Sequence, residues 1–126
     1  MTQQPHLALS GVVLDAPDAQ ELGAFYQRLL GWPVQQDEPG WVKLASPEGG
    51  SGLSFQTEPN YRRPSWPAGP GDQQMSIHLD IKVDDLDAAG EHAVAAGAVL
   101  AEHQPQDNVR VYFDPVGHPF CLFLNG

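Results

Sequence analysis

The chain has 126 residues and carries 16 Asp and Glu against 6 Lys and Arg, a formal charge of -10. That length fits one domain that can bury a core without disulfides or structural metal. The charge excludes nucleic acid and anionic membrane as partners held by counterion release. The single cysteine, Cys121, cannot form an intrachain disulfide, and Met1 to Leu9 lacks a basic segment followed by an apolar run. No stretch reaches the length of a membrane span, so a soluble cytoplasmic protein is expected.

Leu7 to Leu14 (LALSGVVL) is apolar and β-branched enough for a strand. Asp15 to Asp18 makes a turn, and Pro17 and Asp18 open a helix that ends at Gly31. Its Leu22, Phe25, Tyr26, Leu29 and Leu30 fall on one side. Three short strands are expected next, at about 33–37, 41–46 and 52–57, punctuated by Pro39-Gly40 and by Pro47 to Gly50. The stretch 58–75 is rich in proline and glycine and reads as a crossover loop. Loops of this length are either functional or disordered, and Tyr61 and Trp66 are poor choices for a disordered linker.

From Ser76 to Val83, Ile77, Leu79, Ile81 and Val83 alternate with Ser76, His78, Asp80 and Lys82. This is the period of a strand with one apolar face, which is expected to pack beneath a helix. Asp84 and Asp85 can cap that helix, whose Leu86, Ala89, Ala93, Val94 and Ala96 recur at helical spacing until Gly97. Strands are then expected at about 99–103, 108–113 and 119–124, with turns at 104–107 and 114–118. Aligning Gly11 on His78 puts Asp18 on Asp85 and brings Gly31 and Gly97 within one residue of register. The chain therefore reads as an α+β fold with the order βαβββ twice, in modules of about 7–57 and 76–124. The expected architecture is a curved mixed sheet around a cavity lined by both halves, with 58–75 as its lid.

Several side chains could carry chemistry there. His78 and Asp80 are two apart on a strand and point the same way, so they can bind a ligand's donors together or act as acid and base. A lone strand histidine is more often simply hydrogen-bonded, and Cys121 in an apolar strand more often an inert core residue than a reactive thiol. Arg110 lies among Val109, Val111 and Tyr112 and must either reach solvent or meet an acid such as Asp80 or a ligand anion. Trp41, Tyr61, Trp66, Phe25 and Phe113 could wall a pocket for planar or cationic ligands, although ordinary core packing explains Phe25 as well. There is no glycine-rich phosphate loop, GxSxG elbow or CxxC pair.

A doubled βαβββ chain with FYQRLLGW ending its first helix and DPVGHPFCLF closing its last hairpin resembles the vicinal oxygen chelate superfamily. That superfamily includes glyoxalase I, extradiol dioxygenases and the fosfomycin and bleomycin resistance proteins, and the resemblance spans about Leu7 to Leu124. It implies an open barrel around a cavity and, in the metal enzymes, a ligand on the first and last strands of each module. His78 matches one such histidine. Gly11, its counterpart in the first module, has no side chain, and Ser54, with Gln56 two residues on, stands where the metal enzymes carry Glu or Gln. The DPxGxxxE pattern ends here in Cys121. One ligand position of four is kept where about three are needed, so no cofactor is expected, and a divalent metal only through an atypical set around His78, such as His78, Asp80 and Cys121.

The resulting expectation is a metal-free small-molecule binding protein of the bleomycin-resistance type. It would hold a partly aromatic or cationic compound with Trp41, Ser54, Gln56, Tyr61, Trp66, His78, Asp80, Arg110 and Cys121. The alternatives are a lyase, isomerase or dioxygenase using a divalent ion at His78, and a metal-free enzyme with His78 and Asp80 as acid and base. The resemblance also implies a homodimer.

Overall fold

A computed structural model describes residues 5–124, and its architecture is the expected α+β arrangement of two βαβββ modules. The first runs β1 (Gly11–Ala16), α1 (Ala19–Leu30), β2 (Val34–Glu38), β3 (Trp41–Leu44) and β4 (Gly52–Thr57). The second runs β5 (Leu79–Lys82), α2 (Leu86–Ala96), β6 (Val99–Leu100), β7 (Val109–Phe113) and β8 (Pro119–Phe123). Among the described residues the eight strands form two four-stranded sheets, ordered β1-β4-β3-β2 and β5-β8-β7-β6. In each, the first strand lies parallel to the last and the other neighbours are antiparallel. The repeat is present in the ladders themselves, since Val13 pairs with Ser54 as Asp80 pairs with Cys121.

Local chemistry sets the helix ends. The Asp18 carboxylate accepts from the amides of Gln20 and Glu21, and Gly31 at φ 71° stops α1 in a left-handed conformation that suits glycine. Asp85 accepts from the Ala88 amide at 3.0 Å to start α2. Gly23 lets α1 settle closely on its sheet, because a Cβ there would sit 2.6 Å from Val42 Cγ1.

One core joins the modules. Leu14, Leu22, Phe25, Tyr26, Val42, Leu44 and Phe55 from the first pack in the same cluster as Phe120 and Leu122 from the second. The Tyr26 hydroxyl donates to the Asp114 carboxylate at 2.8 Å, a buried bond from α1 to the turn before β8. Asp114 also accepts from the amides of Val116 and His118 and from Nδ1–H of His118, all within 3.0 Å. Burial first, and then the Asp114 charge, pushes the Tyr26 phenol well above its ordinary value. The helices are also tied, with the Arg28 guanidinium donating to the Ala96 carbonyl and the His92 ring to the Leu29 carbonyl.

Three sequence expectations are corrected. Strand structure begins at Gly11 and Leu79, not at Leu7 and Ser76, and Ile77 is 37 % exposed instead of packed beneath α2. The register would place His78 opposite Pro119, which has no amide to donate to a longer ladder. Second, β6 is only Val99–Leu100. Third, Val94 is exposed while Gly90, Ala93 and Ala96 form the buried side of α2. No described helix is long and apolar enough to cross a membrane.

Candidate functional site

Strand alternation gives each sheet a face under its helix and an open face. In the second sheet Leu79, Ile81, Phe120 and Leu122 join the core below the helices, so Asp80 and Cys121, direct partners across β5 and β8, belong to the open face. His78, just ahead of β5, continues that phase. Cys121 packs with Ala101 and Val111 in a small apolar cluster flanked by Trp66, Val109 and Phe113. Trp66 comes from the crossover loop, which is pinned to itself where the Ser65 amide donates to the Gln73 carbonyl at 2.8 Å. Its indole stacks on the His78 ring with centroids 6.2 Å apart and planes 16° from parallel, and meets His103 edge-on at 5.7 Å.

Trp66, His78, Asp80 and Cys121 border an open pocket of about 380 Å³ whose other lining includes Asn108, Val109 and Phe123. His78 Nε2 lies 3.3 Å from Asp80 Oδ1, and the two side chains are 39 % and 61 % exposed. One ligand atom from each of His78, Asp80 and Cys121 falls within 4.8 Å of the others. Burial, and then the neighbouring Asp80 charge, pushes the Cys121 thiol up, so it is a thiol and a poor nucleophile at neutral pH.

A second cleft, of about 390 Å³, separates the modules. Val13 and Asp15 of β1, Asn60 and Tyr61 of the loop, and Ile77 and His118 of the second module border it. The Tyr61 ring lies 5.3 Å from that of His118 and its hydroxyl donates to the Val116 carbonyl. Burial, then Asp114, pushes this phenol up to about 12.

The expected ligand residues are thus divided. Trp66, His78, Asp80 and Cys121 share the open-face pocket, whereas Tyr61 lines the cleft between the modules. Trp41 is half-buried on β3 and its indole N–H donates to Gln36 Oε1 at 2.7 Å. Ser54 is buried on β4, and the Gln56 carboxamide donates to the Asp15 carboxylate at 2.6 Å. Arg110 is one residue out of phase with Asp80: it pairs with Leu122, lies on the α2 side of β7, and donates to the carbonyls of Asp107 and Val109. The pocket residues Asn108, Val109 and Phe123 were not anticipated. Alternation on β7 and β8 carries a signal for Val109 and Phe123; Asn108, in a turn, has none.

A sequence model of the glyoxalase-like domain family matches residues 11–123. The chain belongs to the glyoxalase-like domain family. No curated protein sequence matches it. Solved structures share its fold. A glyoxalase/bleomycin resistance protein/dioxygenase family enzyme from Burkholderia phytofirmans PsJN is 21 % identical with TM-score 0.71, over 94 % of this chain and 98 % of that one. A glyoxalase-related enzyme from Fulvimarina pelagi is 21 % identical with TM-score 0.68, over 98 % and 89 %. TnmS3, an antibiotic binding protein from Streptomyces sp. CB03234, is 20 % identical with TM-score 0.58, over 96 % and 100 %.

A divalent ion held between both modules does not fit this glyoxalase-like chain. At the matching positions the first module offers Gly11, which has no donor, and the buried hydroxyl of Ser54.

Proposed function

We propose that this glyoxalase-like protein binds and sequesters a small, partly aromatic or cationic compound on the open face of its second sheet. The observation that carries this reading is the Trp66–His78 stack standing beside the exposed Asp80 carboxylate in one pocket. Indole and imidazole faces grip a planar ring, and a carboxylate beside them selects a positive charge or an N–H donor. The net charge of -10 favours the approach of a cation. The structural likeness to an antibiotic binding protein supports sequestration as a use of this fold. The single, buried cysteine suits a reducing cytoplasm. The alternative, a metal-dependent lyase, isomerase or dioxygenase, would need an ion held by His78 with Asp80 and Cys121.

Fluorescence titration with planar aromatic cations, alongside neutral and anionic rings of equal size, tests the reading. Cations are expected to bind best, and Trp66→Ala to weaken them about tenfold, a stacking loss of about 1.4 kcal/mol. Equal affinity in Trp66→Ala, or no preference for cations, would reject it. The binding unit is proposed to be a homodimer, supported by exposed Val34 on β2 and exposed Val99 and Leu100 on β6, the outer strands of the two sheets. Sedimentation showing only monomer at micromolar concentration would contradict this.

A further inference from the structure

We propose that the cleft between the modules is a second binding site, for a hydroxyl-rich small molecule of the sugar or cyclic polyol type that carries no negative charge, with His118 Nε2 as its buried acceptor. Asp114 fixes the tautomer. Its carboxylate stands 2.9 Å from Nδ1, so the proton of a neutral imidazole sits there and the lone pair is left at Nε2. His118 is only 8 % exposed, and its Nε2 makes no hydrogen bond among the described residues. Since no buried side-chain nitrogen or oxygen lacks a partner among those residues, Nε2 must open to solvent, and the cleft is the pocket that His118 lines. A polar atom so little exposed is poorly hydrated, and a ligand hydroxyl completes its bonding.

The crossover loop is fastened beside this pair. The Tyr61 hydroxyl donates to the Val116 carbonyl at 2.8 Å and the Arg63 guanidinium to the Pro115 carbonyl at 3.3 Å. Gly117, at φ 98°, leaves room for Arg63, because a Cβ there would collide with its side chain. The Tyr61 ring is thereby held 5.3 Å from the His118 ring and offers the cleft an aromatic wall for the C–H face of a sugar. Asn60, Gln73 and Gln74 add carboxamides, which donate and accept as hydroxyls do. Asp15 Oδ1 accepts from Gln56, which leaves Oδ2 to a ligand hydroxyl. An anion would meet Asp15 and Glu58 at the lining and Asp114 behind the imidazole, against Arg62 alone. The volume of about 390 Å³ falls within the about 300–1,000 Å³ of small-molecule pockets.

This site goes beyond the sequestration reading and does not rest on it, because the two pockets share no lining residue. The experiment follows the His118 ring nitrogens by NMR in the full chain, held at about pH 8.5, above the ordinary histidine range. Glucose, myo-inositol, glucosamine and glucuronate are titrated to millimolar concentration. At least one of the first three is expected to shift the Nε2 resonance saturably, and glucuronate to bind about tenfold more weakly than that one. His118→Gln is expected to weaken the binding about tenfold or more. Because His118 braces its turn, that variant can lose stability; the wild-type Nε2 resonance then carries the test without it. An Nε2 resonance unmoved by all four compounds, tightest binding by glucuronate, or unchanged affinity in a folded His118→Gln overturns the proposal. Trp66→Ala separates the two sites: it should weaken aromatic cations and leave the sugar-induced shift intact, and loss of that shift would place the sugar in the other pocket and overturn the assignment.

Discussion

Replacing Asp114 with alanine is expected to lower the free energy of unfolding by about 3–5 kcal/mol, the range for removing one partner of a buried charged network. The carboxylate has no solvent exposure and accepts from the Tyr26 hydroxyl, two backbone amides and the His118 ring. Alanine leaves the buried Tyr26 hydroxyl and the turn amides without their acceptor, and each unmade bond carries its own desolvation cost. Tyr26→Phe should cost less, about 1–2 kcal/mol, because three donors to Asp114 survive it. Chemical unfolding of both variants checks the order, and a larger loss for Tyr26→Phe would mean that the carboxylate is not the hub. The fold also holds the Tyr26 proton more tightly than the unfolded chain does. The corresponding stability is present below the ordinary phenol value of 10.0 and falls as pH rises from there toward the folded value.

That network illustrates what the sequence leaves legible. Asp18 and Asp85 as caps, Gly31 as a stop and the doubled strand–helix unit are local patterns, and each appears where its chemistry places it. The pairing of Asp80 with Cys121 is not legible, because the repeat carries no strand register; the ladders supply it, with Val13 against Ser54 as the counterpart in the first module. Facing is readable on β5, where apolar and polar residues alternate cleanly. It is ambiguous on β7, where Val109, Val111 and Phe113 interleave with Arg110 and Tyr112, and both sets contain large apolar side chains. Ile77 shows the other limit. Its alternation continues past the point where the partner strand, beginning at Pro119, can extend the ladder, so it ends in the cleft wall and not under α2. Trp41, Ser54 and Gln56 belong to the other sheet, and no local pattern reveals that the eight strands divide into two sheets with separate open faces.

Phe120→Ala is expected to destabilise the protein by about 3–5 kcal/mol, whereas Ile77→Ala should stay below about 1 kcal/mol. The Phe120 ring is fully buried and stands where the modules meet. It stacks on Tyr112 at 5.8 Å and meets Phe25 and Tyr26 of α1 at 6.1 and 6.4 Å. Truncation therefore opens a void between two modules that are each held by their own ladders and cannot collapse freely into it. Phe25 shares that contact, so the double variant Phe25→Ala/Phe120→Ala should cost less than the sum of the two single changes. Additive losses would mean that the two rings do not report on one inter-module contact. Phe120 also precedes Cys121 on the same strand and faces the opposite way, which divides core from pocket at a single peptide bond. A mild Phe120→Ala, matched to Ile77→Ala in denaturant midpoint, would place Phe120 outside the core. It would thereby reverse the facing of Cys121 and remove the open-face pocket built on it.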